Sequence, residues 1–110
     1  KRQLLSLPGM EEPVKLDDIV YISAEDKYTM IYTRVGRITD RTSLAELEEM
    51  LREYGFFRIH RKYIVNMRYH REISKGRLIL SGGEKLPISR RRESVYREIL
   101  MKKMEKDLEK

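Results

Sequence analysis

Cysteine is absent from the 110 residues of the chain. A disulfide framework, a thiolate zinc site and a cysteine nucleophile are therefore excluded. The two histidines, His60 and His70, are too far apart in sequence to match a zinc-binding helix motif. We therefore expect no metal site, and the composition fits a reducing cytoplasm.

The signals of several other protein classes are also missing. No apolar run approaches the length of a membrane span, and no signal-peptide pattern opens the chain. The stretch Ser81–Gly83 has no helix after it, unlike a phosphate-binding loop. His60 lies beside Arg61 and Lys62, and neighbouring cations make a histidine a poor proton acceptor. The sequence thus predicts no enzyme, no cofactor and no membrane association.

Acidic residues are scarce in the second half of the chain. Residues 1–55 contain 8 Lys and Arg against 11 Asp and Glu, whereas residues 56–110 contain 16 against 7. The first half therefore carries −3 and the second half +9, which gives the net charge of +6. A basic half on a small protein is the electrostatic footprint of a polyanion binder, and nucleic acid is the default polyanion.

The length of the chain leaves room for one domain with a thin core. Residues 1–13 include Pro8-Gly9 and Pro13, which break regular elements, so we expect a linker or arm there and the folded domain at 14–110. The chain starts with lysine rather than methionine, and we expect that it was cut from something longer.

The hydrophobic pattern predicts a mainly β fold built from short strands. Three strands are expected between residues 14 and 42, with turns at Glu25–Lys27 and Val35-Gly36. Further short strands are expected between residues 56 and 88, with one turn at Lys75-Gly76. Turns this short join antiparallel neighbours.

Two helices complete the predicted fold. The apolar period lengthens in residues 43–54, where three leucines share one helical face. Ser43 followed by Glu46 forms a capping box, and Gly55 is a natural stop. A second helix is expected from about residue 90 to the end of the chain.

Positive charge is most concentrated between residues 58 and 92, with 11 Lys and Arg against 2 acids. Apolar neighbours on an ordered strand could hold cationic side chains rigidly at its start. The expected hydrogen-bond donors of this strand and loop are Arg58, His60, Arg61 and Lys62. The alternative is a solvated surface strand whose charges only face water.

Three consecutive arginines, Arg90, Arg91 and Arg92, stand at the expected start of the second helix, after Ser89 as the N-cap. A helix N-terminus prefers acids, so these arginines should cost stability unless an anion arrives. A DNA phosphate is such an anion, and arginine also pairs bidentately with guanine. The alternative is that they form ion pairs with Glu93 or nearby acids.

Four segments resemble the LytTR DNA-binding domains of bacterial response regulators. They are, in order, VYISAEDKYTMIYT, TSLAELEEML, FFRIHRKYIVNMRYHREI and LPISRRR, and the resemblance covers about residues 14–100. Four matches in this order and spacing are specific. One departure is Lys62, where the family usually has a serine.

The resemblance implies short antiparallel β-sheets with one short internal helix and a C-terminal helix. It implies that loops, not an inserted helix, recognise DNA, with two copies side by side on direct repeats. The family's contacts, carried onto this chain, fall on Tyr28 with Lys27, on Arg61 and on Arg90. The family's usual partner is an N-terminal phosphorylatable receiver domain, for which this chain has no room.

We therefore expect a cytoplasmic domain of a transcription regulator that binds specific double-stranded DNA sequences. Base-edge contacts are expected from Arg61 and Arg90. Phosphate contacts are expected from three other cations: Lys62, Arg91 and Arg92. His60 belongs to the same expected site. The alternatives are a module whose basic face binds an acidic protein, and an RNA-binding module.

Overall fold

The computed structural model describes residues 3–108. Short strands dominate this range, and the mainly β fold with one internal helix and one C-terminal helix is confirmed. The strands are β1 (Leu4–Leu5), β2 (Val14–Lys15), β3 (Ile19–Glu25), β4 (Tyr28–Thr33), β5 (Arg37–Asp40), β6 (Phe56–His60), β7 (Tyr63–Asn66), β8 (His70–Ser74), β9 (Arg77–Leu80) and β10 (Lys85–Pro87). The α-helices are α1 (Leu44–Leu51) and α2 (Arg90–Leu108), and single turns of 3-10 helix lie at Leu16–Asp18, Arg52–Tyr54 and Met67–Tyr69.

Five strands form the central sheet in the order β5-β4-β3-β7-β6, and every neighbouring pair is antiparallel. The sheet contains two hairpins, β3–β4 and β6–β7. Pairing of β3 with β7 joins them and places Tyr21 opposite Val65 and Ser23 opposite Tyr63. Because β3 and β7 run in opposite directions, the β3–β4 turn and the β6–β7 turn lie at the same end of the sheet.

Apolar side chains cover both faces of the central sheet. On one face, Ile22 and Ile64 pack with Leu47 of α1 in one buried cluster. On the other face, Val65 packs with Leu78 of β9, so the second sheet, of order β10-β9-β8, lies on that side. Two small cores therefore replace the single thin core that a domain of this size usually has.

A β-bulge in β3 distributes its side chains between the two cores. The register of β3 against β4 shifts between Ile19 and Tyr21, which leaves Val20 as the extra residue. Ile19 and Ile22 belong to the cluster around α1, whereas Val20 belongs to the cluster on the opposite face. A strand without a bulge would place residues 19 and 22 on opposite faces.

The described part of residues 1–13 is more ordered than a free arm. β1 pairs with β2, and Leu5 and Leu7 are buried in the cluster around α1. Burial of these two leucine side chains away from water stabilises the segment. The prediction of an arm considered only the prolines and the glycine and therefore missed this packing. Residues 1 and 2 lie outside the described range, and the domain boundary at residue 13 stays a prediction.

The start and the end of α1 confirm the sequence prediction. The Ser43 hydroxyl accepts a hydrogen bond from the Glu46 N–H at 3.1 Å, and the Glu46 carboxylate accepts one from the Ser43 N–H at 3.1 Å. After one turn of 3-10 helix, Gly55 takes the left-handed conformation at φ 86° that ends the helical segment.

α2 is fixed to the domain mainly through its first half. Tyr96 has no exposed surface, and its hydroxyl lies 2.8 Å from Nδ1 of His70 on β8. From Met101 to Leu108 every residue of α2 is exposed. The predicted extension of this helix to the chain end concerns residues 109 and 110, which lie outside the described range.

Between residues 3 and 108, no helix combines the length and the apolar character needed to cross a membrane.

Asn66, at the end of β7, connects the central sheet to the segment before β3. Its buried side-chain amide donates to the carbonyl oxygens of Leu16 at 3.3 Å and Ile19 at 2.9 Å. Its Oδ1 accepts from the Arg68 N–H at 3.0 Å. Asparagine is well suited here because one side chain satisfies both donors and acceptors of the backbone.

Replacing Asn66 should therefore destabilise the fold. In Asn66→Ala, the carbonyls of Leu16 and Ile19 and the Arg68 N–H each lose one hydrogen bond, and the Leu16 carbonyl keeps the one from the Ile19 N–H. We expect the free energy of unfolding to fall by about 1–3 kcal/mol. Urea denaturation measures this change. Asn66→Asp keeps the acceptor for Arg68 and loses the donated bonds, so it should also be destabilised. Unchanged urea midpoints for both variants would contradict the structural role of Asn66.

Candidate nucleic-acid interface

The loops predicted to bind DNA lie side by side at one end of the central sheet. The β3–β4 turn and the β6–β7 turn are fastened together by a hydrogen bond from the Ala24 N–H to the Lys62 carbonyl at 2.9 Å. The start of α2 lies beside β6, because the Ser89 N–H donates to the Ile59 carbonyl at 2.9 Å. Three segments that are distant in sequence thus form one surface.

The β3–β4 turn presents Lys27 and Tyr28. Asp26 takes the left-handed conformation at φ 59°, which closes the tight turn. Lys27 is exposed, and Tyr28 is 41 % exposed. An exposed tyrosine offers both a ring face and a hydroxyl, so its exposure favours a recognition role over packing in the core.

The β6–β7 turn presents His60, Arg61 and Lys62 as a two-residue hairpin with the histidine at its base. Nδ1 of His60 accepts a hydrogen bond from the Lys62 N–H at 3.1 Å, so the ring proton of the neutral form is on Nε2. Partial burial, with further contributions from Arg61, Lys62 and Arg92, lowers the pKa of His60. His60 is therefore a neutral N–H donor that also fixes the turn, and Arg61 and Lys62 are exposed.

A β-bulge in β6 positions the start of α2. The register of β6 against β7 shifts between Arg58 and His60, so Ile59 is the extra residue and its carbonyl is available to another partner. That carbonyl accepts from the Ser89 N–H, and the Arg58 carbonyl accepts from Nη1 of Arg92 at 2.9 Å. Two adjacent carbonyl groups thus hold the first turn of α2 against the hairpin that carries Arg61.

The Arg58 side chain does not supply free donors to a ligand, in contrast to the sequence-based expectation. Its guanidinium donates to the Arg61 carbonyl at 2.7 Å and pairs with Glu48 of α1 at 3.2 Å. The side chain is only 20 % exposed. The physical reason is that Arg58 points back along the hairpin toward α1, where it braces the backbone of the β6–β7 turn.

The three arginines at the start of α2 have different environments. Arg90 and Arg91 are exposed, whereas Arg92 is half-buried and bonded to the Arg58 carbonyl. The alternative of ion pairs with Glu93 does not apply to them, because Glu93 pairs with Arg97 one turn later at 2.9 Å. Thus Arg92 is partly a structural residue, and the expected destabilisation applies to Arg90 and Arg91.

Ser89 precedes α2 at the predicted N-cap position, but its side chain does not cap the helix, and its carbonyl only begins the helical hydrogen-bond pattern. Its carbonyl accepts from the N–H groups of Arg92 at 3.0 Å and Glu93 at 3.1 Å. Its hydroxyl oxygen is buried and has no hydrogen-bond partner within residues 3–108. The first turn of α2 therefore keeps its positive partial charge next to the arginines.

A shallow concavity of about 230 Å³ joins the two basic segments. It is lined by His60, Arg61, Ser89, Arg91 and Arg92. Neutral and cationic donors converge there, so the concavity is suited to an anionic oxygen group such as a phosphate. Arg90 and Lys62 lie outside this lining, on the exposed surface next to it.

The described residues offer no arrangement for metal chemistry. Within residues 3–108, no three His, Cys, Asp or Glu side chains come close enough together to hold a metal ion. His70, the second histidine, bonds to the buried Tyr96 rather than joining His60. The concavity between the two basic segments is lined instead by hydrogen-bond donors and cations: His60, Arg61, Ser89, Arg91 and Arg92.

Comparisons with known proteins agree with this geometry. The family model of the LytTr DNA-binding domain matches residues 12–101. A solved LytTr DNA-binding domain from Bacillus cereus superposes with a TM-score of 0.74 and 29 % sequence identity, over 90 % of this chain and 95 % of that one.

Curated relatives are longer than this chain. It is 34 % identical to the sensory transduction protein LytT of Bacillus subtilis, over 70 % of this chain and 34 % of that protein. It is 33 % identical to the heme-containing CO-sensing transcriptional regulator RcoM 2 of Paraburkholderia xenovorans, over 90 % of this chain and 41 % of that protein. The chain thus spans less than half the length of these relatives.

The different environments of Arg91 and Arg92 lead to a stability test. We expect Arg92→Ala to lower the free energy of unfolding by about 1 kcal/mol, because it loses a charged hydrogen bond to a carbonyl in a partly exposed setting. Arg91→Ala, its matched control, should leave stability equal or slightly higher, since it removes a cation from a helix N-terminus. Urea denaturation without DNA measures both, and equal effects would contradict the assignment.

Proposed function

The chain belongs to the LytTR family of DNA-binding domains, and from this premise we propose that it binds specific duplex DNA sequences as the output domain of a bacterial transcription regulator. The observation that carries the proposal is the row of donors at one end of the central sheet. The Ala24 and Ser89 hydrogen bonds hold its three segments together. Such a rigid set of cations suits the regular spacing of phosphates and base edges.

We assign base reading to Arg61 and Arg90, two of the exposed arginines whose side chains form no hydrogen bond within residues 3–108. Arg61 at the tip of the β6–β7 turn and Arg90 at the first position of α2 are exposed and reach outward from two separate segments. A guanidinium can pair with O6 and N7 of guanine in the major groove. Tyr28 and Lys27 contribute a third contact from the β3–β4 turn.

Phosphate binding is assigned to Lys62, Arg91 and Arg92. Arg91 and Arg92 line the same concavity as His60, whose neutral Nε2 donor would assist them. Arg92 donates one N–H to a carbonyl and keeps others for a phosphate. Lys62, which stands where the family usually has a serine, adds one exposed charge to the turn.

The wider context of the domain belongs to the same proposal. By analogy with the family, two copies would bind side by side on direct repeats in the bacterial cytoplasm, and a receiver domain would precede the chain. Relatives include a sensory transduction protein and a heme-containing CO-sensing regulator, so input domains differ among proteins that share this domain. The chain's own input domain is therefore a separate question from its DNA binding.

The two alternatives make different demands on the surface. RNA readers stack several bases on exposed aromatic rings, but Tyr28 is the one strongly exposed aromatic residue in this row among residues 3–108. If the partner were an acidic protein, the domain would need its positive charge but would not discriminate among duplex DNA sequences. Competition between duplex DNA, RNA and an acidic protein at physiological salt separates these possibilities.

The salt dependence of binding tests the proposed function directly. A duplex obtained by selection from a random library serves as the specific site. Each phosphate contact contributes about −0.9 to the slope of log affinity against log salt. The three contacts assigned above therefore predict a linear fall with a slope of about −2.7, and any further phosphate contact makes the slope steeper. A flat salt response, or a selection that yields no preferred sequence, would contradict sequence-specific DNA binding.

The division of labour is tested by single alanine variants. Arg90→Ala and Arg61→Ala should each weaken binding to the selected duplex by about 1–3 kcal/mol and to scrambled DNA much less. Lys62→Ala should weaken both duplexes about equally and reduce the salt slope. Equal losses on both duplexes for Arg90→Ala would show that Arg90 contacts only phosphate.

A further inference from the structure

Arg41, in the loop between β5 and α1, extends the row of donors beyond the three predicted segments. Its Nη2 lies 3.4 Å from the Tyr28 hydroxyl, and its guanidinium carbon lies 5.3 Å from the centre of the Tyr28 ring. Both side chains are exposed. A cation over an aromatic ring is held in place while its N–H groups remain available at the edge of the guanidinium plane.

The loop that carries Arg41 is fixed on both sides. The Asp40 carboxylate accepts from the Thr42 N–H at 2.8 Å and also from the Gly9 N–H. The Thr29 hydroxyl donates to the Thr42 carbonyl at 2.6 Å. Arg41 is therefore displayed from a backbone that has little freedom to move, which lowers the entropic cost of binding a ligand.

The charge of Arg41 is not neutralised by an ion pair. Among residues 3–108, no carboxylate lies within ion-pair distance of its guanidinium. Asp40 and Glu46 line the same concavity of about 560 Å³, and their carboxylates accept hydrogen bonds from the Thr42 N–H and from the N–H and hydroxyl of Ser43. The concavity thus holds two carboxylates and one guanidinium, so an anionic ligand is favoured at the exposed guanidinium edge of Arg41 rather than inside the concavity.

The position of Arg41 in the sheet indicates which part of DNA it would meet. Thr29 pairs with Asp40, so Arg41 lies at the β5 side of the row, whereas Arg91 and Arg92 at the start of α2 lie beside β6, four strands away. Four strand spacings amount to roughly 19 Å, whereas the major groove is about 12 Å wide. A row of this width, laid across the groove, has its ends on the phosphate backbones.

We propose that Arg41 is a DNA-backbone contact, a phosphate clamp held in position by Tyr28, at the opposite end of the interface from Arg91 and Arg92. The proposal rests on the proposed function, since the anion is a DNA phosphate. It adds a fourth segment, the β5–α1 loop, to the binding surface. Tyr28 then has two roles, as a contact of its own and as the platform that orients Arg41.

The test compares Arg41→Ala with Arg34→Ala as a charge-matched control. Arg34 is exposed and follows β4 at the end of the sheet remote from Tyr28. Within residues 3–108 its one ion pair is with the half-buried Asp18 at 3.6 Å. Each variant loses one positive charge, so a general electrostatic effect would change both equally. Both are measured on the selected duplex and on scrambled DNA across a salt series, with melting temperature as the check on folding.

We expect Arg41→Ala to weaken binding to both duplexes by the same factor, about fivefold, and to reduce the salt slope by about 0.9, the value for one phosphate. Arg41→Lys should restore the slope, because it keeps the charge. Arg34→Ala should retain wild-type slope and affinity. An unchanged salt slope in Arg41→Ala, or an equal loss of affinity and slope in Arg34→Ala, would overturn the proposal. Steep, sequence-selective binding by the wild-type protein would still support the proposed function in that case. A wild-type protein that binds no DNA would overturn both.

Discussion

Two adjacent carbonyl groups in the β6 bulge, those of Arg58 and Ile59, hold the proposed DNA-binding surface together. They accept hydrogen bonds from the Arg92 side chain and the Ser89 backbone, and the Arg58 side chain donates back to the Arg61 carbonyl. β6 is an edge strand, and neighbouring carbonyls of a regular strand point to opposite sides, so a regular β6 would present only one of the two to α2. At the bulge, two adjacent carbonyls accept hydrogen bonds from the start of α2. Through it the helix start and the β6–β7 turn form one rigid unit.

The pairing of β3 with β7 brings the remaining loops to this unit. It places the β3–β4 turn next to Lys62, and the β4–β5 pairing brings Arg41 to Tyr28. Positive charges that would repel one another in a flexible chain are thereby held together at one end of a sheet that has apolar cores on both faces. The repulsion is relieved when phosphates arrive, which is why such a surface favours a polyanion.

Local features were predictable from the sequence, and long-range ones were not. The capping box of α1, the stop at Gly55 and the short turns depend on neighbouring residues, and the structure has them as expected. The structural role of Arg58 depends on the β6 bulge and on Glu48 in α1. Neither is visible in the residues around Arg58, so the sequence alone cannot distinguish it from an exposed cation. Arg41 and Tyr28 meet only through strand pairing, and the packing of Leu5 and Leu7 in the cluster around α1 is not visible in their local sequence.

The central claim is that loops at one end of the sheet form a single DNA-binding face. Titration of the isotope-labelled domain with a selected duplex, followed by amide chemical-shift changes, tests it most directly. We expect the largest changes at residues 26–28, 40–42, 60–62 and 89–92, with little change at the Thr33–Gly36 turn at the other end of the sheet. Large changes at that turn, or along the exposed second half of α2, with little change at the four segments, would contradict a single DNA-binding face at this end of the sheet.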